Sequence, residues 1–296
     1  CRLMAIRVPR ADPTTGYLSG LPNMLDYARK KGANVVNMSW GRYELDLRMA
    51  GGGPVLDSLV APAVQRARDA GMVLVSTVGN DGLGLSPRFP AGFRSVIGVA
   101  STESRDVAEY PGRYTWDPTR PTIPPRLSAT ACGPTVDVAA PGVDVPVLIN
   151  YRDIPPGDPE WTSGSGTSFA APQVAGAAGL LWSLAVHRPG LALDPGRITS
   201  AIRTTTDDLT GTWWPGYAGT LATEWDGMTG HGRIDLFAAL MRVDPELGPV
   251  SIIRAEIVDP AVDVWTVPAA AFDVPVTAML GAPGDSGISA SIDLAF

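Results

Sequence analysis

Short apolar runs alternate along the chain with longer stretches whose apolar residues recur every three or four positions. Ala33 to Met38, Met72 to Val78 and Ser95 to Ala100 are β-rich runs with few polar positions, the pattern of strands buried on both faces of a parallel sheet. Leu3 to Val8 predicts another strand of this kind. Between these runs, Leu21, Met24, Leu25 and Ala28 give Leu21 to Lys31 a helical spacing, with Gly32 placed to cap its end. Val55 to Ala70 predicts a second helix that closes at Gly71. Strands alternating with helices predict an α/β fold, with a parallel β-sheet and helices on both faces.

Farther along, Thr162 to Gly166 is a run of small residues that reads as a flexible turn, and a helix of small residues begins at Thr167. Pro172 is assigned to the first turn of that helix, where a missing N–H costs little. The uncharged run Phe169 to Val186 is long enough to be mistaken for a membrane span. Its alanines, its glycines and Pro172 suit a helix buried against a sheet, so no membrane span is assigned. Asp194 to Leu209 and Leu236 to Val243 predict two further helices. From Asp244 the texture changes: Val250 to Val258, Val262 to Val267 and Ile288 to Phe296 alternate, with Pro and Gly between them. The reading is therefore a main domain over 1–243 and a partial β-rich domain over 244–296.

Composition narrows the function. With 296 residues, 45% of them hydrophobic, the chain can bury one sizeable α/β core. A net charge of −7 disfavours nucleic acid as a partner. Two cysteines, Cys1 and Cys132, do not make a disulfide framework; a single bridge between them is possible and not implied. Phe296 ends the chain inside a strand pattern, and Cys1 leads directly into one without a visible signal peptide, so truncation is expected.

The chemistry concentrates at Gly164-Ser165-Gly166-Thr167-Ser168-Phe169-Ala170-Ala171-Pro172-Gln173-Val174-Ala175-Gly176. A hydroxyl at Ser168 would sit at a helix mouth, where unpaired N–H groups and the macrodipole favour negative charge. An alkoxide or a tetrahedral oxyanion would be stabilised there. This stretch resembles the serine motif of the subtilisin-like proteases (subtilases), GTS-x-A-x-P-x-V-A-G, at every fixed position. The resemblance implies that Ser168 is a nucleophile acting on protein or peptide substrates.

Other segments resemble the same family in the same order. Gly79-Asn80-Asp81-Gly82, after a buried strand, is similar to the A-G-N segment, which makes the Asn80 amide an oxyanion donor beside the Ser168 backbone N–H. Ser39-Trp40-Gly41 resembles the S-x-G segment that pairs with substrate backbone by strand addition; taken alone, Trp40 fits core packing equally well. The resemblance gives a substrate-binding set of Ser39, Trp40, Gly41, Thr77, Gly79 and Thr167. Where the family has alanines before G-N, this chain has Ser76, Thr77 and Val78, a bulkier wall for the pocket of the residue preceding the scissile bond. Phe89-Pro90-Ala91, Val136 to Asp144 and Gly230 to Asp235 are similar to structural segments of the family. The likeness runs over about residues 1 to 243.

Two expected pieces do not occur. The family's D-[TS]-G and H-G-T segments, which carry the triad aspartate and histidine ahead of the serine, are absent from the sequence. Its two histidines, His187 and His231, both follow Ser168. In an unbroken helix His187 would lie about 28 Å from Ser168, far outside hydrogen-bond reach; His231 matches the family's C-terminal turn. The opening CRLMAIRV resembles the family strand that follows the histidine helix. The expectation is a serine endopeptidase whose Asp and His come from a missing N-terminal segment of the same protein, with this chain alone inactive. The alternative is a non-catalytic subtilase-like module that binds peptides or partners. Sedolisins share part of the serine motif but carry an aspartate where Asn80 stands. No cofactor is implied by the residues; calcium is frequent in the family, with no site identifiable here. Secretion is implied by the resemblance alone.

Overall fold

The structure, a computed structural model, describes residues 2–7, 18–43, 51–80, 88–102, 130–131, 133–148, 161–188, 190–209 and 225–244, together with the backbone of four strands between 251 and 294. In chain order its first elements are β1 (Arg2–Leu3), α1 (Leu21–Lys30), β2 (Val35–Met38) and β3 (Arg42–Tyr43). Next come α2 (Gly53–Val55), a π segment (Leu56–Val60), α3 (Ala61–Asp69), β4 (Val73–Thr77), β5 (Arg88–Phe89) and β6 (Val96–Thr102). β7 (Val138–Pro141), β8 (Val145–Leu148), β9 (Trp161–Gly164), α4 (Thr167–His187), α5 (Pro195–Thr204) and α6 (Leu236–Val243) complete the main body. β10 (Ser251–Ile257), β11 (Phe272–Val274), β12 (Val276–Gly281) and β13 (Ile292–Leu294) follow.

Four strands form the central sheet in the order β2-β4-β6-β7, all parallel. Every residue of β4 and β6 is buried, as continuous apolar runs require when helices cover both faces. Strand alternation sends Val73, Val75, Ile97, Val99, Val138 and Ala140 to one face, packed against α4, α5 and α6. Leu74, Val96 and Met38 point to the other face and meet α1 and α3. The predicted α/β architecture with helices on both faces is the observed one.

Helix α4 is the centrepiece. Ala170, Ala171, Val174, Ala178 and Leu181 are wholly buried against the sheet. Among the described residues it is long and apolar enough to cross a membrane, yet those small side chains pack on β4, β6 and β7 as a core helix should. The starts of α5 and α6 follow the capping rule: Asp194 and Asp235 each accept a hydrogen bond from the backbone N–H three residues on.

Three expectations change. Of the run Leu3 to Val8, the described residues 3–7 are not a buried strand: only Arg2–Leu3 is extended, Leu3 and Met4 are exposed, and β1 pairs with β13 outside the main sheet; Val8 lies outside the described residues. A strand is buried only if a lane in the sheet receives it, and this run takes none. Thr162 to Gly166 is not loose: β9 pairs antiparallel with β8, and the turn is confined to Gly166, whose φ of 135° suits glycine. Pro172 lies inside α4, beyond its first turn. In the region after Asp244, β10 and β12 pair antiparallel, as do β11 and β13; Val262 to Val267 lies outside the described residues, as do Cys1 and Cys132.

Candidate active site

The predicted site residues meet at the C-terminal ends of β2 and β4, against the N-terminus of α4. Parallel pairing of β2 with β4 brings Met38 beside Ser76, so the segments that leave the two strands start side by side. Ser76 Oγ donates to the Met38 carbonyl at 3.0 Å and ties those strand ends together. Ser39 leaves β2, Asn80 leaves β4, and the sharp turn at Gly166 drops Ser168 between them. Gly166 N donates to Gly142 O at 2.6 Å, anchoring that turn to the end of β7.

Ser168 is half-buried and its hydroxyl donates to the Ser39 carbonyl at 3.1 Å. In return Ser39 Oγ donates to the Ser168 carbonyl at 2.9 Å. The second bond has a cause in the sequence. In an α-helix the carbonyl of Ser168 would accept from the N–H four residues on, and that residue is Pro172, which has none. Asn37 Nδ2 donates to Ser39 Oγ at 2.9 Å, a contact that sequence reasoning did not anticipate. Its signal was the N-x-S spacing, which puts Asn37 and Ser39 on the same side of an extended strand.

Asn80 is exposed, and its side chain faces the start of α4. Its Oδ1 accepts both the Thr167 backbone N–H and the Thr167 hydroxyl, each at 2.8 Å. Two donors fill the carbonyl oxygen, so Nδ2 is the end of the amide left for other work. Gly166 lies so close that a Cβ there would fall 2.9 Å from Asn80 Nδ2. Thr167 and Thr77 are buried, and their hydroxyls touch. Neither hydroxyl faces an open surface.

Trp40 is half-buried against the cluster built by α1 and α3. Gly41 and Gly79 share a neighbour that the sequence did not reveal. Arg88, in β5, donates from Nη2 to the Gly41 carbonyl at 3.0 Å, and a Cβ on Gly79 would sit 2.6 Å from its Nη1. A Cβ on Gly79 would crowd this arginine, and one on Gly41 would fall 2.6 Å from the Phe89 carbonyl oxygen.

The subtilase family model matches residues 1–232, more than half of the chain. This chain belongs to the subtilase family. Thermitase of Thermoactinomyces vulgaris is 32% identical over 214 residues, which make up 72% of this chain and 61% of thermitase. Subtilisin DY of Bacillus licheniformis is 33% identical over 184 residues, 61% of this chain and 54% of that protein. The chain thus spans little more than half the length of these relatives. Among solved structures, the prenylagaramide maturation protease PagA aligns with a TM-score of 0.53 and 21% identity, over 80% of this chain and 71% of that one. A lanthipeptide protease aligns with a TM-score of 0.55 and 22% identity, over 79% and 68%. These likenesses show the shared fold.

Neither histidine of this subtilase chain approaches the serine. His187 is the last residue of α4, an unbroken helix of 21 residues that starts at Thr167, which puts it about 28 Å from Ser168. His231 N donates to Asp137 O at 2.8 Å, just before β7, whereas Gly142 and Gly166 meet just after that strand. The two ends are about 16 Å apart at the rise of an extended chain. Among the described residues no group of three His, Cys, Asp or Glu side chains gathers as a metal site.

Proposed function

We propose that this chain carries the nucleophile half of a serine endopeptidase, with Ser168 attacking the peptide carbonyl. The Asn80 amide and the Ser168 backbone N–H are the donors that hold the oxyanion. The carrying observation is the tethering of Asn80 by its oxygen to the first residue of α4, which puts its NH2 group against Gly166, two residues before the nucleophile. The helix mouth adds the positive end of a dipole at the same place. Ser39, Trp40 and Gly41 form the extended strip on which substrate backbone lies.

The general base comes from a segment outside these residues, in the same protein, because both histidines are far from Ser168. By itself the chain retains only the weak catalysis that donors and binding supply, since loss of the base removes most of a triad's power.

A second reading keeps the fold and drops the cleavage. The Ser168 hydroxyl donates to a backbone carbonyl, not to a base, which is compatible with a peptide-binding module. Labelling with a fluorophosphonate probe separates the two. The protein is expressed with whatever coding sequence lies in frame ahead of Cys1. Labelling of Ser168 with peptide cleavage, both lost in Ser168→Ala, supports the endopeptidase. An unlabelled serine in a protein that carries the family's Asp and His segments favours the binding module.

A further inference from the structure

Thr77 stands where the family's pattern has an alanine, and its hydroxyl reaches the Asn80 donor through one intermediary. Thr167 is fully buried and Thr77 is 2% exposed, so solvent does not compete for either hydroxyl. Thr167 has a single hydroxyl proton, which goes to Asn80 Oδ1 at 2.8 Å. In the contact between the two threonines the donor is therefore Thr77, and Thr167 Oγ1 accepts. The result is a directed chain, from Thr77 in β4 to Thr167 at the start of α4 to Asn80 beside Ser168.

We propose that Thr77 is a positioning residue for the oxyanion donor: its hydroxyl fixes the rotor of Thr167, which holds the Asn80 amide with its NH2 group outward. The inference rests on the reading of Asn80 as that donor. Physically, an accepted hydrogen bond polarises the Thr167 hydroxyl and strengthens the one it donates, and burial enlarges the effect. An alanine would leave the Thr167 oxygen half-satisfied and its rotation less restricted. Asn80 is exposed, so packing does not hold its amide and the hydrogen bonds must. The threonine thus compensates for an amide that water could otherwise turn.

The test compares Thr77→Val, which keeps the shape and removes the hydroxyl, with Thr77→Ser, which keeps the hydroxyl. The first readout is the side-chain amide signal of Asn80 in 15N-labelled chain, assigned by its loss in Asn80→Ala. In Thr77→Val this signal is expected to move and its solvent exchange to accelerate about three- to tenfold, the worth of one neutral hydrogen bond; Thr77→Ser should match the parent. The second readout, in the protein expressed with the coding sequence in frame ahead of Cys1, is the rate at which Ser168 reacts with a fluorophosphonate probe. Thr77→Val should slow it about three- to tenfold, Thr77→Ser should restore it, and Thr77→Val should add nothing in an Asn80→Ala background. An unchanged Asn80 amide in Thr77→Val overturns the proposal, as does equal slowing with and without Asn80. If Asn80→Ala itself reacts at the parent rate, the oxyanion reading fails, and the amide signal still decides what Thr77 does.

Discussion

Ser39 and Ser168 exchange hydrogen bonds, each hydroxyl donating to the other residue's carbonyl, at 2.9 and 3.1 Å. The exchange locks the strip that follows β2 onto the first turn of α4. It exists because Pro172 withholds the N–H that would have occupied the Ser168 carbonyl. Ser39→Ala therefore leaves a half-buried carbonyl without a partner and should lower stability by about 1–2 kcal/mol. Pro172→Ala in the same chain supplies the missing N–H and should recover part of that loss. Chemical denaturation of the two single variants and the double variant measures the coupling, and strictly additive losses would contradict it.

Gly166 turns the chain at a φ of 135°, and a Cβ there would meet the Asn80 amide at 2.9 Å. Gly166→Ala should destabilise the fold by about 1–3 kcal/mol and displace Asn80. Reaction of Ser168 with a fluorophosphonate should slow in this variant even at temperatures where circular dichroism shows it folded.

Asn80→Ala removes the proposed donor and leaves the sheet intact. In subtilisin itself, loss of such an asparagine costs about 10²–10³ in kcat, and that magnitude is the expectation here. It is read in the catalytically complete protein as a fall in kcat with little change in KM. A rise in KM at constant kcat would assign Asn80 to substrate binding instead.

Much of this was legible in the sequence because it rests on local pattern. The apolar runs at Val73–Thr77 and Val96–Thr102 could only be buried strands, and the start of the serine helix at Thr167 follows from Gly166 and the small residues after it. The features that escaped are the ones made by long-range pairing. β9 looked like a loop because Ser163 and Gly164 are small and poor strand formers, and its stability comes from β8. The run after Cys1 has a buried strand's composition, yet its first residues pair with β13 outside the central sheet. Arg88 gave no sign of its approach to Gly41, which lies in a segment distant from it in sequence, or to Gly79. Thr77 was read as a pocket wall, whereas strand direction turns its hydroxyl inward to Thr167.

Ser168 is the second residue of α4, whose buried face runs from Thr167 to Leu184. Its amides from Gln173 to Leu184 should meet deuterium chiefly when the sheet itself opens, so their exchange should report global unfolding, not local fraying. The helix that carries the nucleophile is therefore tied to the stability of the fold as a whole. A substitution anywhere beneath α4 that costs stability, such as Leu181→Ala at about 2–5 kcal/mol, should shorten the lifetime of the site in proportion, without touching a single residue that borders it.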